Sequence, residues 1–265
     1  MSRIAAFAER DLRLALAYPS TLMGPFVSAL VTIGGFAYLS RIINPHAPLD
    51  AGGRHIDYFS YVALNFTFMA LLNAALQSVP AALRRDQLAG TFESMVASPT
   101  SLFTMVAGSA AWPVCFAALQ ACAYVLCAMV FGLRFEHVDV PLLVQFLVLG
   151  MACTGAIGTI AAAGVIAFKQ SPPSTLFVGS AATLLAGVLF PVTLLPKPLQ
   201  LISWTLPLTH ALHGVRAAMS GAPFAAGAYD AAWLAAATVL LAPLAFFTLR
   251  LAINYAKTDG SLSSY

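Results

Sequence analysis

The chain is 265 residues long, 60% hydrophobic and only 9% charged, with a formal net charge of +3 and a mean hydropathy of +0.85. Soluble domains carry about 25% charged residues, so a chain this poor in charge has too little polar surface to stay in water; its class is integral membrane protein. So small a net charge argues against a nucleic-acid partner and leaves the positive residues to set orientation in a bilayer.

The N-terminus has no apolar core followed by a small-residue cleavage site, so no cleaved signal peptide is expected. Ile4, Phe7, Ala8, Leu12, Leu14 and Ala15 fall on one side of a helical wheel, and Arg3, Glu9, Arg10 and Arg13 on the other. Asp11 is the misfit. The pattern predicts an amphipathic interface helix over 1–17, either a plain membrane anchor or one turning its basic face to lipid phosphates or a soluble partner. Tyr18-Pro19 then turns the chain into its first span.

A helix needs about 20 apolar residues to cross a bilayer. Charge-free runs predict six spans, over 20–40, 58–82, 102–131, 141–168, 175–195 and 231–249. The third starts near Leu102 because Ser98-Pro99-Thr100-Ser101 breaks a run too long for one helix. Residues before proline avoid the helical region, and Ser or Thr caps the next helix. Pro198 to Val215 is also free of Lys, Arg, Asp and Glu, but Pro198 and Pro207 divide it into halves too short to cross. Broken backbone at membrane depth survives only where protein covers it, so 197–219 is expected to form a re-entrant hairpin of two short helices. The fold class expected is all-α integral membrane: six transmembrane helices in a single domain over 1–265, with the interface helix at the start and the hairpin between helices five and six.

Six spans place both termini on one side, with Arg3, Arg10, Arg13, Arg84, Arg85, Lys169, Arg250 and Lys257; Arg41, Arg54, Arg134, Lys197 and Arg216 lie on the other. Eight against five puts the termini in the cytoplasm.

No Lys, Arg, Asp or Glu falls mid-span, which disfavours an ion-coupled carrier, since those place an ionisable group near the midplane. Amides remain: Asn65, Asn73 and Gln77 in the second span, Gln120 in the third and Gln145 in the fourth. Asn73 and Gln77 are four apart and share a helical face. Either these amides line a translocation path, or they make interhelical hydrogen bonds worth about 0.6 kcal/mol each. In the fourth span Gly150, Thr154, Gly158 and Ala162 repeat at four-residue spacing beside Gly155, Thr159 and Ala163. Small residues so spaced let two helix backbones approach closely. No glycine-rich loop followed by Lys-Ser or Lys-Thr occurs, so no P-loop for ATP is expected on this chain. His-Glu-x-x-His, Gly-x-Ser-x-Gly and paired intramembrane Asp are also missing, and no catalytic residue is assigned. His210 and His213 share a helix side with Arg216, but two His without a third ligand make a weak zinc site. No metal is assigned there; headgroup or external-gate contact is preferred. Cys115, Cys122, Cys127 and Cys153 lie in apolar runs, match no zinc pattern and read as packed free thiols.

The stretch from Arg84 to Ser101 concentrates four charges, Arg84, Arg85, Asp86 and Glu93, between two charge-free runs. Arg84 and Arg85 cap the second span, and Pro99 directly precedes the third. Thr91 suits the cap of a short helix over 91–97, with Glu93 in its first turn and Phe92, Met95 and Val96 as an apolar side. Charges for steering and rigid links to two spans suit a segment that grips a soluble partner.

This island, with Gly90-Thr91-Phe92-Glu93 and Ser98-Pro99, precedes a second block, Phe190-Pro191 to Leu195-Pro196, then Leu206-Pro207-Leu208-Thr209, closing at Arg216. Together, in order among six spans, they resemble the membrane subunit of type-2 ATP-binding-cassette exporters, the permeases for drugs, polysaccharides, lipo-oligosaccharides and nodulation factors. Phe92 stands where that family usually has Leu, and Asp86 where it often has Glu nearby, both changes of kept character. The resemblance implies a dimer of permeases in the bacterial cytoplasmic membrane, among membrane lipids; homodimer and heterodimer both stay open, and a chain with one set of motifs leans to homodimer. A separate cytoplasmic ATPase subunit would carry ATP and Mg, with no cofactor on this chain. It implies an ATPase interface at Arg84, Arg85, Asp86, Gln87, Gly90, Thr91, Phe92, Glu93 and Ser94 within an 84–98 coupling loop, with Arg10 and Arg13 beside it. Asn65, Asn73, Gln77 and Gln120 would be path candidates; Pro191, Trp204, His210, His213 and Arg216 would be external-gate candidates. The expected function is export of an amphipathic drug, lipid or lipid-linked glycan. The alternatives are a non-transporting membrane scaffold or, disfavoured for want of catalytic groups, an intramembrane lipid-modifying enzyme.

Overall fold

The structure, a computed structural model, describes residues 3–17, 19–42, 49–50, 55–91, 101–133, 138–168, 183–221 and 224–258. In chain order the helices are α1 (Arg3–Ala17), α2 (Pro19–Ile42), α3 (Tyr58–Leu88), α4 (Leu102–Val130), α5 (Val140–Phe168), α6 (Lys197–Ser203), α7 (Pro207–Met219) and α8 (Phe224–Thr258), with a 3₁₀ turn at Val192–Leu194. Among the described residues the β-structure is one antiparallel pairing, Leu49 with Ile56 and Asp50 with His55.

Five of the described helices, α2, α3, α4, α5 and α8, are long and apolar enough to cross a membrane. Of the span expected over 175–195, residues 175–182 lie outside the described ones. Its remainder is not one continuous helix: the chain turns at Gly187 (φ 76°) before the 3₁₀ turn. α8 runs from Phe224 to Thr258, longer at both ends than the 231–249 span read from the sequence.

Local chemistry sets the ends of α3. Asp57 is its N-cap, accepting from the Ser60 amide at 3.1 Å. At the other end the helix does not stop at the charges; it runs through Arg84, Arg85 and Asp86 to Leu88. The expected loop over 84–98 therefore begins as a further stretch of helix. Gly90 ends it in the left-handed region (φ 68°), with its amide donating to the Gln87 carbonyl and that of Thr91 to the Asp86 carbonyl, both at 3.0 Å. This is a Schellman cap, in which a residue without Cβ reverses the chain and satisfies the last carbonyls. α4 begins with Ser101 as cap, its Oγ accepting from the Thr104 amide at 3.1 Å. Pro25, Pro80, Pro113 and Pro243 lie inside long helices, which membrane helices tolerate because neighbouring groups satisfy the carbonyls freed.

α3 is the central element. About two-thirds (67%) of its apolar stretch is buried, against 17–33% for the other four long helices. It packs on α4 and α5, while α8 packs on α5 and α7 lies against α5 and α8. The α3–α5 contact is built on the small-residue series: a Cβ added at Gly158 would stand 2.1 Å from the Leu76 carbonyl oxygen, and one at Gly150 2.9 Å from Leu72. Two apolar clusters result. One joins Ile33, Leu72, Phe146, Leu212 and Leu234; the other joins Val79, Leu83, Met105, Ile166, Leu249 and Ile253 toward the Arg85 end of α3. The outward faces of α2, α4 and α8 expose Val31, Val130, Val239 and Leu240, as helices facing hydrocarbon do.

Candidate functional site

Two clusters of polar side chains among the described residues lie toward the two ends of α3. At the Arg85 end, α1 is fastened to α3 by four charges. Arg10 reaches Asp11 with Nε at 3.0 Å and Asp86 with Nη1 at 3.2 Å; Arg85 Nη2 reaches Asp11 Oδ2 at 3.1 Å. The set is electrically neutral, and its acids lie deepest: Asp11 is 2% exposed and Asp86 5%. Such a network is costly to break from one side, because it leaves a buried charge without its counter-charge. Asp11, out of place on the α1 wheel, thus joins Arg10 in holding α1 to α3. Arg13 is exposed and pairs with Glu9 one turn away on α1, a contact worth roughly a few tenths of a kcal/mol.

The other residues expected to meet an ATPase fall into three groups. Arg84 is half-buried and Gln87 buried at the end of α3. Gly90 and Thr91 form the cap, where Thr91 Oγ1 donates to the Asp86 carbonyl at 3.3 Å. Thr91 therefore completes α3; the short helix it was expected to cap, with Phe92, Glu93 and Ser94, lies outside the described residues. Beside this end an open groove of about 600 Å³ is lined by Gln77, Pro80, Arg84, Arg85 and Leu88. Gln77 thus belongs to the Arg85 end. Asn73 and Gln120 line a different cleft of about 480 Å³ between α3 and α4, with Phe66, Phe116 and Tyr124.

Asn65 faces no open space. It is 1% exposed; its amide donates to the Val188 carbonyl at 3.0 Å and its Oδ1 accepts from Arg216 Nη1 at 3.1 Å. Arg216 also donates to the Gly187 carbonyl at 3.3 Å, which accepts from the Tyr61 hydroxyl at 2.7 Å. The guanidinium lies 5.2 Å from the centroid of the Tyr61 ring. Burial lowers the pKa of Arg216, opposed by Tyr61 and Asp230, and an arginine stays charged in any case. Asn65, Tyr61 and Arg216 therefore pin the chain where it breaks at Gly187. Pro191 precedes the 3₁₀ turn just beyond.

His210 and His213, on one side of α7, both point at Asp230 on α8: His210 Nδ1 is 2.6 Å from Oδ1 and His213 Nδ1 is 2.7 Å from Oδ2. Trp204 joins them through its carbonyl, 2.9 Å from His210 Nε2, and Trp233 stacks on the His210 ring at 4.3 Å. The sequence reading missed Asp230, which stands one residue before the charge-free run used to place the last span. Its spacing from the histidines carried no signal, because the two helices meet only in the fold.

These elements can be set beside known proteins. A family profile described as "ABC-2 type transporter" matches residues 3–220. Nodulation protein J of Sinorhizobium fredii (strain NBRC 101917 / NGR234) is 31% identical over 176 residues, covering 63% of this chain and 64% of that protein. The chain thus aligns with just under two-thirds of the relative's length. With a matched region that includes α1, the capped end of α3 and the Arg216 cluster, and with five helices of membrane-crossing length, the chain is a multi-pass membrane protein that belongs to the ABC-2 type transporter family.

Proposed function

We propose that this protein is the permease subunit of an ATP-driven exporter, moving an amphipathic drug, lipid or lipid-linked glycan outward across the bacterial cytoplasmic membrane. ATP hydrolysis takes place on a separate cytoplasmic ATPase subunit, and two permease copies pair in the membrane, each with six spans and both termini in the cytoplasm. The α1 helix lies at the membrane interface and α6–α7 form the re-entrant hairpin near the exit. The ATPase docks on the segment 91–97 and on the adjoining end of α3. Support comes chiefly from the Arg10–Asp11–Arg85–Asp86 network, which ties α1 rigidly to the helix that runs into that segment. Motion delivered there moves α1 and α3 as one body, and α3 carries it through the core, past the Asn73–Gln120 cleft, to Asn65.

Copurification tests the docking. The ATPase subunit should remain with the wild-type permease and be lost from a Phe92→Asp, Glu93→Arg double variant; equal retention by both removes the docking assignment. Stimulation of ATP hydrolysis by candidate cargos in reconstituted membranes tests transport. A complex that assembles but neither responds to any cargo class nor moves one supports the scaffold reading instead.

A further inference from the structure

We propose that His210, His213 and Asp230 form a proton-binding latch that fastens the Trp204 corner between α6 and α7 to α8, closed when the site holds one extra proton and loosened when that proton leaves.

Three contacts set the proton count. A backbone carbonyl can only accept, so His210 Nε2, 2.9 Å from the Trp204 oxygen, carries a hydrogen. The 2.6 Å contact from His210 Nδ1 and the 2.7 Å contact from His213 Nδ1 to the two oxygens of Asp230 each need a proton between nitrogen and oxygen. Three protons are required. Two neutral imidazoles and a carboxylate hold two and carry a net charge of −1; with the third the cluster is neutral and every contact is a hydrogen bond. When the third leaves, either the Trp204 carbonyl loses its donor or one Asp230 oxygen faces a nitrogen lone pair. His210 is fully buried and Asp230 3% exposed, where an unmatched polar contact is most costly. The His213 side chain, 32% exposed, gives the proton its way to water.

Among the described residues, four titratable groups stand around the latch. Arg216, on α7, interacts with Asp230 through its charge and opposes the extra proton, which keeps the site able to release it. Tyr61 lies against the Arg216 guanidinium, and the Tyr229 ring stands 5.9 Å from His210. Asp139, whose amide donates to the Ala218 carbonyl at the end of α7, is engaged as a cap through the Leu142 amide. The bond from His210 crosses from one element to another: Trp204 ends α6, His210 lies in α7 and Asp230 in α8, while Ser203 Oγ donates to the Leu185 carbonyl at the chain break. Opening the latch therefore frees the corner beside the Gly187 break and leaves the α3–α5 core intact.

Hydrogen–deuterium exchange on the full chain in lipid nanodiscs, where both faces see the same buffer, reads the latch through the Trp204, Thr205 and Leu206 amides, which bond back to Gln200, Ile202 and Ser203. After correction for intrinsic exchange, the wild-type segment should exchange about tenfold faster in buffer at about pH 8 than at about pH 5. Peptides of α3 should not change. Asp230→Asn is the decisive variant. Its amide can donate to His210 Nδ1 and accept from His213 Nδ1, so all three bonds form with neutral imidazoles, and protection should stay high at both pH values. Equal wild-type exchange at both pH values overturns the proposal; so does an Asp230→Asn segment that keeps the tenfold response or exchanges fast throughout. Should Asp230→Asn not fold, His210→Gln replaces it: a glutamine amide donates to the Trp204 carbonyl at every pH, and a response that survives this change overturns the proposal equally.

Discussion

Single residues shape two of the places where the described backbone departs from regular helix. Gly90 adopts φ 68° with open space around its Cα. Among the described residues a methyl group there meets no neighbour, so its cost is the left-handed strain, about 1 kcal/mol. Gly90→Ala should thus lower the thermal midpoint only slightly. Asn65 is the opposite case: nothing about its backbone is unusual, and its side chain is indispensable. Asn65→Leu keeps the shape but leaves the Val188 carbonyl without that donor and the buried Arg216 without one of its acceptors. A loss of about 3 kcal/mol is expected, measurable by denaturation in detergent. The amide reads in the sequence as one polar residue among several in a span. Its partners are 123 and 151 residues away, so nothing in the local pattern separates it from Asn73, which lines a cleft.

Between elements, helix faces decide what a residue does. The four-residue series on α5 was legible as a packing seam because small size is itself the signal, and Gly158 shows its limit. Its Cβ would fall 2.1 Å from the Leu76 oxygen and 2.8 Å from its carbonyl carbon, atoms of backbone that cannot swing aside. Gly158→Ala should force α3 and α5 apart at a cost of about 1–3 kcal/mol, seen as a lower midpoint and as loss of any cross-link engineered between the two helices. The α1–α3 clasp makes a different prediction. Asp11→Arg alone sets a third guanidinium among Arg10 and Arg85 and should loosen α1 from α3, though α1 also packs on α4, raising protease access to the N-terminus. Adding Arg85→Asp restores opposite charges across the interface and should recover much of that loss. A double variant no better than the single would show that the pairing does not hold α1.

Across the whole molecule, α3 joins two polar ends that share no partner. Asn65 and Asp86 lie on one helix about 30 Å apart at the α-helical rise. Substitutions at the two ends should act independently, since sites this far apart add within a few tenths of a kcal/mol. Asp11→Asn combined with Asn65→Leu should therefore give the sum of the single effects on stability. Only Asp11→Asn should weaken retention of the ATPase, because the proposed docking surface lies at its end alone. A marked departure from additivity would mean that α3 passes strain between its ends in the resting protein.

Composition and the spacing of charges were enough to establish a membrane protein built of long helices. Hydrocarbon offers the backbone no hydrogen-bond partner, so each crossing segment must satisfy itself as helix, and charge-free length is visible in one dimension. The break at Gly187 and the extension of α3 through its charges were not. Hydropathy marks where charge begins, whereas the cap at Gly90 sets where the helix ends. Least visible were the partnerships: Asp11 with Arg85 across 74 residues, Asn65 with Arg216 across 151, His210 with Asp230 across 20. Each depends on how a helix is rotated about its axis. In a chain whose surroundings are nearly as apolar as its core, hydrophobicity does not encode that rotation. Tertiary packing alone turned Asp11 toward Arg85, and Asp230 toward the two histidines.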